Sequence, residues 1–367
     1  MRVKELKLIN FRNYKKLKLA LNPRLNVFLG DNAQGKTNLL ESIYIAALGK
    51  SYKTNRDREI INLDKEQGYL GLKLDTNRGE RLIEIKFDIN NPKRVKINRI
   101  ELERINDILG NLNIVIFSPE DLKLIKGGPS ERRDFLDNEI SQIKPLYRYN
   151  IQKYNSILYQ RNKILKSNNK GLLDTLEIWD EQMIEYGSYI ISERIKFINK
   201  LRRISKRIHK DISNGKEELE INYNSSIPFK NDNLEDIKNN YKISLKNNIS
   251  EDIERRSTGR GIHKDDLEIL VDDKLCRNYC SQGQQRTASL SLKLAEVDLI
   301  KEEIGEYPVI LLDDVLSELD MNRRTKLISS FQDIQIIITS TDDIDLEDYR
   351  GKKRSTFIIK EGTVYQE

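Results

Sequence analysis

The octapeptide Gly30-Asp31-Asn32-Ala33-Gln34-Gly35-Lys36-Thr37 fits the pattern G-x-x-x-x-G-K-[ST] at every position, and it constrains the fold more than any other stretch. The pattern carries chemistry only where a strand feeds into it and a helix leaves it, because the backbone N–H groups at the helix start then converge on phosphate oxygens. Both flanks are present. Leu25 to Leu29 reads as a buried strand, and Leu39, Leu40, Ile43 and Ile45 mark the apolar residues of the helix that follows. In that context the backbone from Gly30 through Asp31, Asn32, Ala33, Gln34 and Gly35 cradles the phosphates. Lys36 reaches the outer phosphates, and the Thr37 hydroxyl is the expected ligand of Mg²⁺.

A second strand completes such a site. Val309-Ile310-Leu311-Leu312-Asp313-Asp314 is an apolar run that ends in two carboxylates. The first, Asp313, is placed to face Mg²⁺ through water, and the second, Asp314, to orient the attacking water. Residues 38–308 lie between the two elements, far more than in small GTPases or simple P-loop kinases. So large an insertion points to a cassette-type ATPase head. Ser281-Gln282-Gly283-Gln284-Gln285-Arg286 resembles the signature motif of ATP-binding cassettes, in which Ser281, Gly283 and Gln284 open a helix whose N-terminus is an anion site. A serine-capped helix is the plainer reading of those six residues alone. Ser317-Glu318-Leu319-Asp320 follows the acidic strand where cassettes carry their D-loop. Thr339-Ser340-Thr341 replaces the switch histidine of transporter cassettes, and Ser118-Pro119-Glu120-Asp121 offers no Q-loop glutamine.

The rest of the chain supports a split α/β head. Val3, Leu6, Leu8 and Phe11 suit an opening strand, and residues 69–100 alternate as an antiparallel sheet does. From Ser130 the period becomes helical as far as 166. Ser167 to Gly171 reads as a turn, and a second helix runs from Leu172 to Ile212, with Gly187 as a candidate kink. The expected fold class is α/β, a P-loop NTPase of ABC/SMC-head type with mixed sheets plus an inserted arm of two antiparallel helices. Residues 1–126 and 257–367 form the head and 127–212 the arm, while residues 213–256 stay unplaced. The chain has 367 residues, 38% of them hydrophobic and 33% charged, with net charge +6. No apolar run approaches the roughly 20 residues of a membrane helix, and the N-terminus lacks the pattern of a signal peptide. A cytoplasmic location and no membrane partner are expected. Cys276, Cys280, His209 and His263 are too few and too scattered for a zinc site or a disulfide framework.

Several stretches together resemble the RecF family of SMC-like cassette ATPases. They include Leu8 to Tyr14, the phosphate loop with Asn38 to Ile43, Gly49 to Thr54, Phe117 to Leu122, Gly127 to Asp137 and His263 to Leu267, together with the signature and the acidic strand. The resemblance implies ATP and Mg²⁺ as cofactors and adds Arg12 and Asn13 to the nucleotide site. It implies an ATP-dependent homodimer that binds single- and double-stranded DNA at gaps and junctions. It also implies slow, DNA-stimulated hydrolysis and a role with RecR and RecO in loading RecA during repair, replication and the SOS response. Departures exist: Cys280 and Gln282 stand in the signature where many cassettes carry Leu and Gly, and Asp314 replaces the glutamate of transporter cassettes.

For DNA, the basic run Arg194, Lys196, Lys200, Arg202, Arg203, Lys206, Arg207 and Lys210 contains no acid between its ends and suits phosphate contacts; Arg56 is a second candidate. Tyr147, Tyr149, Tyr154 and Tyr159 at helical spacing read as packing more readily than as base platforms. The alternative function is an ABC-type ATPase subunit acting on a protein or transport partner. It expects a switch histidine and a Q-loop glutamine, which the sequence lacks.

Overall fold

The computed structural model describes residues 1–167, 170–173, 175–229, 231–318, 320–331, 333–341 and 354–366. In chain order the strands are β1 (Arg2–Phe11), β2 (Tyr14–Ala20), β3 (Leu25–Leu29), β4 (Gln67–Thr76), β5 (Gly79–Asp88), β6 (Arg94–Ile97), β7 (Ile100–Glu101), β8 (Ile114–Phe117), β9 (Leu219–Asn224), β10 (Asp266–Val271), β11 (Lys274–Leu275), β12 (Val309–Asp313), β13 (Ile336–Ser340), β14 (Arg354–Lys360) and β15 (Thr363–Gln366). The helices are α1 (Lys36–Leu48), α2 (Lys123–Lys126), α3 (Pro129–Ile143), α4 (Pro145–Ser167), α5 (Lys170–Leu173), α6 (Leu176–Ile212), α7 (Leu234–Arg255), α8 (Cys276–Tyr279), α9 (Gln282–Ile304) and α10 (Met321–Ser329). Two compact units divide them. One comprises Met1–Asp121 and Lys293–Glu367, the other Leu122–Leu292.

The first unit holds two sheets. One has the order β15-β14-β3-β13-β12-β8, with β14, β3, β13, β12 and β8 parallel and β15 antiparallel at the edge. Its central strands β3, β12 and β13 are buried almost end to end, as parallel strands covered on both faces must be. The other sheet, β2-β1-β4-β5-β6-β7, is antiparallel. In β1 the buried residues are Val3, Leu6, Leu8 and Phe11, which is not strict alternation. A register shift between Val3 and Glu5 and a left-handed Asn10 (φ 49°) reset the phase on either side of Leu6 and Leu8. Helix α1 is buried on nearly every side, and Leu39, Leu40, Ile43 and Ile45 join the core of this unit.

The second unit is mostly helical. The helix expected from Ser130 to 166 is two helices, because Pro145 cannot donate to the ladder and holds Lys144 outside helical geometry (φ −129°, ψ 89°). Helix α6 runs unbroken through Gly187. There a Cβ would lie 2.3 Å from the Tyr241 ring, so this glycine admits the side chain of α7 rather than kinking the helix. The expected turn at Ser167 to Gly171 includes residues 168 and 169, outside the described residues. Residues 213–256 supply β9 and α7, the latter capped by the Asn233 side chain accepting from Asp236 N. Residues 257–292, expected in the head, belong to this unit, because β10 pairs antiparallel with β9 from Asp266 to Val271.

A polar cluster lies inside this unit. Arg194 is 1% exposed and donates to Asp137 (2.8 Å), Asp265 (3.1 Å), the Tyr147 hydroxyl (3.0 Å) and the Ile262 carbonyl (3.0 Å). It is therefore unavailable to DNA, which corrects its assignment to the basic run: it sits on the buried stripe of α6 with Ile191, Ile195 and Ile198. Arg161, fully buried, pairs likewise with Asp180 and Asp252. Removing one member of a buried ion pair strands its partner, at a cost of about 3–5 kcal/mol. Arg194→Ala is therefore expected to lower the midpoint of thermal unfolding by many degrees, whereas Lys196→Ala, on the exposed side of the same helix, shifts it little.

Candidate functional site

The phosphate loop joins β3 to α1, and its shape depends on three left-handed residues, Gly30 (φ 157°), Ala33 (φ 66°) and Gly35 (φ 117°). Gly35 is required on steric grounds as well, since a Cβ would lie 2.4 Å from the Asn13 amide. The Lys36 side chain, 4% exposed, folds back over the loop and donates to the carbonyls of Gly30 (2.6 Å) and Asp31 (3.1 Å). Its ammonium is thereby held at the mouth of the loop. Arg12 and Asn13, expected at the nucleotide, brace the loop from the protein side. Asn13 Nδ2 donates to the Gln34 carbonyl (2.8 Å) and its Oδ1 accepts from Asn38 (3.0 Å). Arg12 grips the fully buried Glu41 through two hydrogen bonds of 2.9 and 2.6 Å and donates a third to the Glu59 carbonyl (2.6 Å).

The acidic strand meets this loop in space. Strands β3 and β12 both flank β13, so their C-terminal ends lie two strand spacings apart, about 10 Å. Thr37 and Asp313 close that gap: Thr37 Oγ1 donates to Asp313 Oδ1 at 3.0 Å. The same oxygen accepts from Thr339 Oγ1 at 3.0 Å, and the Tyr52 hydroxyl lies 3.3 Å from Oδ2. In the sequence Thr339 stands only where a switch histidine is absent, and Tyr52 only as one member of the stretch Gly49 to Thr54; an aromatic three residues beyond the glycine that ends α1 is the local signal for it. Asp314 has φ 51°, a left-handed conformation that costs a non-glycine residue on the order of 1 kcal/mol or more and clusters at functional sites. Its N–H donates to Thr339 Oγ1 (3.1 Å). Burial raises the Asp314 pKa from its ordinary value, Lys36 opposes the shift and Asp313 adds to it.

The signature residues belong to the second unit. Ser281 caps α9: Gln284 N donates to Ser281 Oγ (3.2 Å) while Ser281 N donates to Gln284 Oε1 (2.9 Å). This reciprocal capping box fixes the helix start and leaves Ser281 exposed and Gly283 half-buried. In the D-loop segment Leu319 lies outside the described residues, and Asp320 caps α10 through Arg323 N. His263 is structural, bonded to the Tyr154 hydroxyl and the Thr258 carbonyl, each at 3.0 Å.

The basic helix is only partly accessible. Lys196, Lys200, Arg203, Lys206, Arg207 and Lys210 are exposed. Lys196 pairs with Glu193 (2.7 Å), Lys206 with Glu218, and Arg202 donates to the Ile221 carbonyl (2.6 Å). Arg56, in the first unit, is exposed beside Glu59 (3.8 Å). Tyr147 and Tyr154 are buried, while Tyr149 and Tyr159 are exposed.

Comparison with known proteins agrees with this geometry. The family model described as RecF/RecN/SMC N terminal domain matches residues 2–357. A DNA replication and repair protein RecF from Alkaliphilus oremlandii is 47% identical over 365 residues, covering 99% of this chain and 100% of that protein. The RecF of Clostridium novyi is 45% identical over 366 residues and covers 100% of both. A solved structure described as the recombination mediator protein RecF with ATP, in the RecFOR pathway, superposes with a TM-score of 0.92 at 39% identity, covering 100% of this chain and 97% of that one. An SMC head bound to the winged-helix domain of ScpA superposes at a TM-score of 0.58 and 17% identity over 100% of this chain and 97% of that one, a likeness of fold. The phosphate loop, the acidic strand and these full-length likenesses agree: this chain belongs to the RecF family of DNA replication and repair proteins, within the RecF/RecN/SMC group.

Proposed function

We propose that the protein is an ATP-gated DNA-binding ATPase of recombinational repair. ATP binding drives two copies together, the dimer engages single-stranded gaps and duplex junctions, and slow hydrolysis releases it. The observation that carries this reading is the 3.0 Å contact between Thr37 and Asp313, which brings the two halves of a nucleotide site to one point across 276 residues of sequence separation. That pair is a hard-oxygen donor set, a hydroxyl beside a carboxylate, and it suits Mg²⁺, which takes few protein ligands and otherwise phosphate and water. When bound, the ion would neutralise charge developing on the phosphates. Lys36, aimed by the Gly30 and Asp31 carbonyls, binds the outer phosphates. Asp314, at the end of the same strand and partly buried, holds and orients water. Ser281 and Gly283 at the start of α9 present a helix N-terminus to the nucleotide of the second copy.

The relatives suggest the biological setting. One is described as a recombination mediator of the RecFOR pathway, and the corresponding role here is action with RecR and RecO toward RecA loading. Among the described residues no helix is long and apolar enough to cross a membrane. A cytoplasmic location follows from the DNA-repair reading of the relatives. The exposed cations of α6, from Lys196 to Lys210, and Arg56 are candidate phosphate contacts.

Two outcomes test the reading. Binding of a gapped duplex, followed by fluorescence anisotropy, is expected to tighten with ATP but not ADP and to lose that response in Lys36→Met; equal binding in every nucleotide state would contradict it. Asp314→Asn is expected to cut steady-state ATP turnover about 100-fold or more with ATP binding retained. A water-orienting carboxylate must be ionised, and burial raises the Asp314 pKa, so wild-type turnover should fall on acidification at a pH above that at which ordinary surface carboxylates titrate. Unchanged turnover in Asp314→Asn would remove that residue from the chemistry.

A further inference from the structure

The antiparallel sheet of the first unit has one face in the core, with Leu8, Leu17, Leu70, Ile85 and Val95. Its register fixes what stands on the other face. Cross-strand partners share a face, so one rung reads Lys16, Ile9, Tyr69, Lys86, Arg94 from β2 to β6, and the next reads Lys18, Lys7, Gly71, Glu84, Lys96. Each rung crosses five strands, about 19 Å. Lys16, Lys7, Lys86 and Arg94 are exposed, and Lys16, Lys86 and Arg94 make no ion pair among the described residues. The carboxylates nearby are engaged. Glu84 accepts from the Tyr69 hydroxyl (2.8 Å), Glu5 pairs with Lys18 (3.4 Å), and Asp88 accepts from Gln67 Nε2 (2.9 Å) and from the N–H groups of Asn90 and Asn91 (2.8 and 3.1 Å).

In the middle of the first rung Tyr69 lies down across Gly71: a Cβ there would be 2.6 Å from the Tyr69 hydroxyl and 3.0 Å from the ring. The ring is half-exposed, with Lys7 Nζ 5.5 Å from its centroid. Beside it opens a cavity of about 360 Å³ with Asn10, Gln67, Tyr69, Lys86, Asn91 and Arg94 in its wall. A flat aromatic, amide groups that can bond base edges, and a row of cations along one sheet face are the components of a single-strand platform: bases stack or insert while phosphates follow the cations.

We infer that this sheet face, centred on Tyr69, Lys86 and Arg94, binds single-stranded DNA, with a base received in the cavity. The inference rests on the DNA-binding reading above and assigns to it a surface in the first unit, apart from the cations of α6. An acidic protein segment would answer the cations but has no need of a stacking ring or of an amide-lined cavity.

The test uses the full-length protein with ATP and Mg²⁺ and a fluorescein-labelled 30-nucleotide thymidine strand, titrated at several salt concentrations. The double variant Lys86→Glu/Arg94→Glu is expected to bind at least 10-fold more weakly and to lose about 1.4 from the slope of log affinity against log salt, about 0.7 for each phosphate contact removed on a single strand. Tyr69→Ala is expected to weaken binding about 5-fold or more, with Tyr69→Phe close to wild type, because stacking needs the ring and not the hydroxyl. ATP binding by each variant should match wild type, which shows that the fold is intact. Single-strand binding left at the wild-type level by the charge reversals overturns the inference and leaves the broader reading standing. Failure of the wild type itself to bind DNA overturns both.

Discussion

A hydrogen bond between a hydroxyl and a carboxylate, Thr37 to Asp313, holds the logic of this molecule together. The two residues are brought within reach by strand order alone. β13 lies between β3 and β12, all three are parallel, and all three end on the same side of the sheet. The intervening chain therefore leaves the first unit, builds an entire second unit and returns without disturbing that edge. Tyr52, Thr339 and Thr37 all converge on the Asp313 carboxyl, so its orientation is set before any ligand arrives. Preorganisation of this kind lets a buried carboxylate receive a ligand at little reorganisation cost.

The loop is braced just as closely from behind. Asn13, Tyr14 and Arg12 follow β1 and reach the carbonyls of Gln34 and Gly35 and the buried Glu41. The antiparallel sheet and the parallel sheet thus meet at the phosphate loop. A carboxylate such as Glu41 inside a helix buried on nearly all sides would be costly alone. Its two bonds from Arg12 and one from Ser51 (2.5 Å) account for it.

Much of this was legible in the sequence because the informative signals are local. The octapeptide, the Val309 to Asp314 run and the apolar residues of β3 each report on their own neighbourhood, and the strand, loop and helix fell where the pattern put them. What escaped was set by tertiary contact. Arg194 counts as one more cation in a basic run, yet it stands three residues after Ile191 and four before Ile198, on the buried stripe, where Asp137 and Asp265 from distant segments receive it. Gly187 suggested a kink because its partner, Tyr241, lies in a helix that composition could not place. Residues 257–292 were assigned to the head because their motifs belong to the ATPase, whereas β10 is held by β9. Pro145 was a readable break, masked by helical periodicity on both sides.

The central claim is that nucleotide, held at Thr37 and Asp313, sets the assembly state of the protein. Its most direct test is the solution mass by light scattering with no nucleotide, with ADP and with ATP and Mg²⁺. The account predicts a single 43.0 kDa chain without nucleotide and with ADP, and twice that mass with ATP. A protein of the same mass in all three conditions would contradict it.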